Sequence, residues 1–282
     1  MAILTQKQFG QRIQELREES NLLQEELAKC LDITRQAVGQ IENGKRKVDS
    51  LELAKLAEFF SLPADALLKP AVADAKEDRR QAKMHSFPFH SNKLRNLLLY
   101  LLEKCGGKPN IGETVIYKLL YFIDFDAYEL LDKPITGMSY IRLQFGPVPR
   151  RTEYMAVVND MVESGELKLF FHQYFGKLQK RYVALAEPVL DAFTAKEIEV
   201  VDKVLMHLSD MNATEIETYV HLDAPWVQAA EGETIGYETV FEREFPYAKR
   251  DYGKAWEGAA AKDALEQLGP ISKEEAEYYE NL

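Results

Sequence analysis

Arg35, Lys45, Arg46 and Lys47 cluster in one short stretch, with Glu42 the single acidic residue between Ile33 and Val48. Gln24, Thr34, Gln36, Gln40 and Asn43 lie in the same stretch or just ahead of it. Leu27 and Leu31 mark one short helix, and Thr34 is placed to cap a second whose inner face is Ala37, Val38 and Ile41. Two short helices joined by a tight turn form a helix-turn-helix. In that motif one helix crosses phosphates and the next enters the major groove. The chemistry implied is binding of a short duplex DNA operator. The net charge of −11 means the bulk of the surface repels a phosphate backbone, so binding must rest on this local basic patch.

Other reactive residue types do not assemble into a reaction centre. Asp124 and Asp126 share a helix pattern but point apart at that spacing, which argues against a carboxylate pair. His207 and His221 lack partners at metal-ligand spacing and read as surface or boundary residues. There is no His-Glu-x-x-His, no phosphate-binding glycine loop and no Gly-x-Ser-x-Gly elbow. The expectation is a non-enzyme with no cofactor and no metal. Cys30 and Cys105 sit beside leucines in helical patterns and read as small core residues in a reducing compartment. No apolar run approaches the ~18 residues of a membrane span, and residues 1–20 are too charged for a signal peptide. A soluble cytoplasmic protein is expected.

The elements that must position the basic patch are legible in the first 70 residues. Phe9, Ile13 and Leu16 recur at helical spacing over 5–20, and Leu23 joins Leu27 and Leu31 on the second helix. Asn43 and Gly44 end the third, since both tolerate the left-handed conformation. Asp49 and Glu52 form a capping box for a fourth helix with Leu53, Leu56 and Phe60 inside, and Pro63 starts a fifth ending near Leu68. Leu16, Arg17, Gln24, Leu27, Ala28, Ile33, Ile41, Glu42, Asn43, Gly44, Leu56 and Ala57 together resemble the Cro/C1-type (XRE) helix-turn-helix family over residues 5–68. Asp32 stands where that family usually has a turn glycine; Asp also tolerates the left-handed region.

The resemblance implies roles. Gln24 would reach a phosphate or a flanking base from the start of the second helix. Arg35, Gln36 and Gln40, with Thr34 ahead of them, would face base edges, Arg suiting guanine and Gln adenine. Asn43, Lys45 and Arg46 would meet phosphates, and Arg17 and Glu42 would form an internal ion pair. Family modules bind half-sites one helical turn apart, which implies a homodimer.

Residues 71–90 lose apolar periodicity and read as a partly helical linker that leaves its neighbours free to move independently. Over 91–250 a second set of elements begins. Leu94, Leu97, Leu98, Leu101 and Leu102 form a stripe stopped by Gly106 and Gly107, and a long helix over 113–131 buries Ile116, Leu119, Leu120, Ile123, Ala127 and Leu130 on one side. A short strand over 140–145 leads to a Gly146-Pro147 turn, then a helix to Glu163. Alternation around Leu167, Leu169 and Phe171 and around Val183 and Leu185 predicts a hairpin about Gly176. Its Lys177, Lys180 and Arg181 allow a DNA-reading wing, with a structural hairpin as the alternative. Thr194 and Glu197 form a capping box for a helix burying Ile198, Val201, Leu205 and Leu208, and Asn212 and Asp223 cap two more. Residues 251–282 read as an acidic helical tail. The fold class expected is mainly α: a five-helix N-terminal domain and a mostly helical α+β C-terminal domain with a small antiparallel β element.

Tyr117, Lys118, Leu119, Leu120, Tyr121 and Phe122, followed by Tyr140, Phe145, Gly146, Pro147, Val148 and the helix containing Tyr154, resemble the Panacea (SocA-like) antitoxin domain over about 92–240. That resemblance implies the antitoxin of a type II toxin-antitoxin system. Its C-terminal domain would neutralise a protein toxin encoded nearby, through a surface that the sequence leaves unassigned, and its helix-turn-helix would repress the shared operon. The alternative is a stand-alone repressor whose C-terminal domain dimerises or senses a small ligand.

Overall fold

The computed structural model describes residues 3–19, 22–60, 62–68, 87–175 and 177–250. Most of the expected linker, the turn residue Gly176 and the 251–282 tail lie outside the described residues. The chain is mostly helical, with small antiparallel two-stranded sheets.

Five helices come first: α1 (Gln6–Glu19), α2 (Gln24–Leu31), α3 (Arg35–Glu42), α4 (Ser50–Phe60) and α5 (Ala64–Leu68). Phe9, Ile13, Leu16, Leu27, Leu31, Val38, Ile41, Leu56, Phe60 and Leu67 interlock as their core. Local signals set the ends. Asp32 ends α2 at φ 58°, in the left-handed region. Thr34 Oγ1 accepts from Ala37 N at 3.2 Å to open α3, and Gly44 leaves it at φ 68°. Asp49 and Glu52 exchange capping bonds of 2.8 and 3.1 Å. Leu23 departs from expectation. It precedes α2 as its cap residue and stands 67% exposed, while Leu22 takes the core position. Gly10 sets the approach of α1 to α3, because a Cβ there would lie 2.2 Å from the Ile41 carbonyl oxygen.

After Phe87 the architecture centres on one helix, α7 (Glu113–Leu131). Around it come α6 (Ser91–Cys105), strands β1 (Tyr140–Leu143) and β2 (Gly146–Pro149), α8 (Arg151–Glu163), strands β3 (Leu167–Tyr174) and β4 (Lys177–Ala184), α9 (Ala195–Leu208), α10 (Ala213–Val220) and α11 (Ala224–Gln228). Short 3-10 turns occupy Leu190–Ala192 and Tyr237–Glu242. The expected one-sided stripe on α7 is instead burial on nearly every face, because α9, α10, β2, β4 and the second 3-10 turn all pack against it.

Two further expectations change. The β1–β2 reversal falls at Gln144 and Phe145, and Gly146-Pro147 begins β2, with Arg142 opposite Pro147. A two-stranded ribbon consists only of edges, so the missing N–H of proline is tolerated there. Asp223 precedes α11 but makes no side-chain cap bond; its carboxylate is held in the interior by Arg243 and Tyr121.

Thr194 and Glu197 do form the capping box of α9, at 3.3 and 2.8 Å. Thr194→Ala is expected to cost about 1 kcal/mol. It should lower the thermal midpoint by roughly 2–4 °C, which calorimetry would read.

The hairpin meets the N-terminal helices. Phe171 packs against their core and stacks on Phe59 with ring centroids 5.9 Å apart, and Arg151 Nη2 donates to Leu16 O at 3.2 Å. These contacts stand where the sequence predicts two freely moving parts.

Candidate functional site

The exposed side of α3 carries Arg35, Gln36 and Gln40, within a shallow recess also lined by Gln24, Gly39, Asn43 and Lys45. The scaffold beneath is a buried carboxylate. Glu42 is 4% exposed and receives Arg17 Nε at 2.6 Å, Arg17 Nη2 at 3.3 Å and Gln24 Nε2 at 2.8 Å. Arg17 also donates to Leu22 O at 2.7 Å. One side chain therefore ties α1, α2 and α3 together, and the hydrogen bond to Glu42 raises the already high pKa of Arg17.

The site residues divide by what already holds them. Arg35, Gln36 and Gln40 make no side-chain bond among the described residues, so their donors are free to meet a ligand. Gln24 is aimed by Glu42, Asn43 Nδ2 caps its own helix through Gly39 O at 2.8 Å, and Thr34 is occupied as the α3 cap. Arg46 pairs with Glu52 at 2.7 Å, so it is anchored to α4, whereas Lys45 is exposed. Sequence reading missed that Glu42 aims Gln24. The signal was present in the buried Arg17–Glu42 pair: Arg17 Nη2 reaches the second oxygen only at 3.3 Å, which leaves that oxygen able to accept from a further donor.

In the C-terminal region the charged groups turn inward. Arg243, with a side chain 0% exposed, meets Asp223 at 2.8 Å through both Nε and Nη2, Asp126 at 2.8 Å and Glu129 at 3.1 Å. Asp124 belongs to a different network: it accepts from Thr136 N at 2.7 Å, from the Thr136 hydroxyl and from Tyr140 OH at 2.8 Å. Burial pushes its carboxyl up to about 6 against those bonds. The two aspartates thus serve separate structural networks. His207 is exposed and bonded to Lys203 O, and His221 stacks on Trp226 with centroids 4.2 Å apart. Among the described residues no cluster of three His, Cys, Asp or Glu side chains could hold a metal, and no helix is long and apolar enough to cross a membrane.

The hairpin is committed internally. Lys180 pairs with Glu113 at 2.7 Å, and Arg181 Nη2 donates to Gly106 O and Lys108 O at 2.8 and 2.7 Å. Both cations fasten β4 to the α6–α7 connection, which favours the structural hairpin over a DNA-reading wing.

Residues 13–67 match the helix-turn-helix family, and residues 116–227 match the family described as antitoxin SocA-like, Panacea domain. A 61-residue stretch is 38% identical to the HTH-type transcriptional activator BcrR of Enterococcus faecalis. It covers 22% of this chain and 30% of that protein, so the chain spans under a third of the relative's length. The crystal structure of the restriction-modification controller protein C.AhdI from Aeromonas hydrophila matches at 38% identity. That match covers 21% of this chain and 91% of the other, with a TM-score of 0.21. One chain therefore carries both a match to the helix-turn-helix family and a match to the antitoxin SocA-like, Panacea domain family.

Proposed function

We propose that this chain is the antitoxin of a type II toxin-antitoxin system. The region 91–250 binds and neutralises a protein toxin encoded nearby. The region 1–70 binds operator DNA as a homodimer and represses the shared operon, in the cytoplasm and without a cofactor. The observation that carries the reading is the pairing, on one chain, of the Panacea match at 116–227 with the helix-turn-helix match at 13–67. Two features of the geometry support it. Arg35, Gln36 and Gln40 are presented unbonded on the exposed face of α3. The buried carboxylates Asp124, Asp126, Glu129 and Asp223 of the C-terminal region are each held in a structural network, which suits a binding domain better than a reaction centre.

The test is co-expression of the full-length chain with the product of the adjacent open reading frame. Growth arrest by that product alone and restored growth with this chain are expected. Arg35→Ala/Gln36→Ala should rescue growth equally well, because neutralisation does not pass through α3. Continued arrest with the wild-type chain would overturn the antitoxin reading and leave the stand-alone repressor.

A further inference from the structure

The C-terminal region touches the N-terminal helices at points that lead to one residue, Gln24. Arg151 opens α8, and its Nη2 donates to Leu16 O at 3.2 Å, in the last turn of α1. A cation at that end of a helix also suits its dipole. The next residue, Arg17, meets the buried carboxylate of Glu42 at 2.6 Å, and Glu42 accepts from Gln24 Nε2 at 2.8 Å. A continuous path therefore runs from the start of α8, through the Leu16–Arg17 turn and Glu42, to the first residue of α2.

A second path arrives from the hairpin. Phe171 stacks on Phe59 with the rings 21° from parallel, and Phe59 meets Phe60 edge-on with centroids 5.3 Å apart. Phe60 lies in the same core as Leu27 and Leu31, so α4 backs α2. Phe171 is itself held in place: its partner across the ladder is Lys180, which is fixed to Glu113 of α7. The two regions also flank the start of α2, where Leu23 and Glu26 share a cleft with Val162, Gly165, Leu167 and Lys168.

What these contacts control is the aim of one amide. Gln24 Nε2 carries two hydrogens. Glu42 takes one, and the other remains for a phosphate oxygen. The direction of the second follows from that of the first, so it depends on where α1 and α4 hold α2 and Glu42. We propose that Arg151 and Phe171 are positioning residues for operator binding, through which the C-terminal region sets the aim of Gln24 without itself touching DNA. This rests on the operator-binding half of the function proposed above.

The test is a double-mutant cycle on the full-length chain, with its own promoter fragment as the probe. Gln24→Ala should weaken binding about tenfold, the worth of one charge-assisted hydrogen bond. Arg151→Ala/Phe171→Ala should weaken it by about three- to tenfold, because a misaimed amide forfeits much of that bond. In the Gln24→Ala background the same pair should cost less than about twofold, since the contact it serves is already gone. Phe171→Leu keeps an apolar contact and should stay within about twofold of wild type. Arg151→Ala alone removes a hydrogen bond from a half-buried side chain, and the same cycle run with it tests the proposal if Phe171→Ala lowers the thermal midpoint. Wild-type affinity in Arg151→Ala/Phe171→Ala would overturn the proposal and leave the operator reading standing. An equal loss in both backgrounds would also overturn it, marking the contact as support for the fold alone. Wild-type affinity in Gln24→Ala would remove the residue being aimed and the proposal with it. A wild-type chain that does not shift the promoter fragment removes the operator reading and this proposal together.

Discussion

Arg243→Met is expected to destabilise the C-terminal region strongly. The guanidinium is fully buried and is the shared partner of Asp126, Glu129 and Asp223. The charges of Asp223 and Asp126 push its pKa up, against the lowering effect of burial, so it stays ionised at every accessible pH. Removing it leaves three carboxylates in a low-dielectric interior. Tyr121 OH still donates to Asp223 at 2.7 Å, but a hydroxyl does not replace a cation. Breaking a buried pair by deleting one partner costs about 3–5 kcal/mol. That is a large share of the 5–15 kcal/mol that holds a typical domain. The midpoint should fall by on the order of 10 °C. Arg243→Lys should recover little of it, because an ammonium cannot reproduce the bidentate fork on Asp223. A midpoint within about 2 °C of wild type would show that the network contributes specificity and not stability.

The same residue shows why part of this fold was hidden in the sequence. Helices α1–α5 are legible because their determinants are local: caps at Thr34 and Asp49, a left-handed exit at Asp32, and apolar spacing within each helix. For α7 the local pattern gives length and one apolar face. It cannot show that Asp126 and Glu129 are also buried, since the cation that compensates them comes from a distant part of the chain. A polar face on a long helix reads as solvent-facing unless its distant partner is known. Asp223 misleads for the same reason: a residue of capping type just before a helix has its carboxylate drawn inward by Arg243. Gly146-Pro147 carries the residue types of a turn, but the glycine is there to clear the Lys118 stem, a packing demand with no local signature. The exposed residues of α3 were legible because type and helical spacing alone define an exposed face. The division among them was not: that Arg46 is anchored while Arg35 is free depends on Glu52 lying across the loop.

That division governs the operator experiment. Arg35→Ala/Gln36→Ala should abolish the shift of the protein's own promoter fragment while leaving the thermal midpoint unchanged. Both side chains are exposed and unbonded, so truncation removes no internal contact. Each bidentate contact to a base edge is worth about 1–3 kcal/mol, so losing two should weaken specific binding by roughly a hundredfold or more. Residual non-specific binding should persist, because phosphate contacts position the protein without reading sequence. Lys45→Ala provides the contrast. It should weaken all duplexes alike and reduce the slope of log K against log salt by about one. Arg46→Ala should behave differently from both, since its guanidinium holds Glu52 of α4. It should lower stability along with affinity, marking it as a residue that supports the site from within the fold. Wild-type operator affinity in Arg35→Ala/Gln36→Ala would remove α3 as the reading helix.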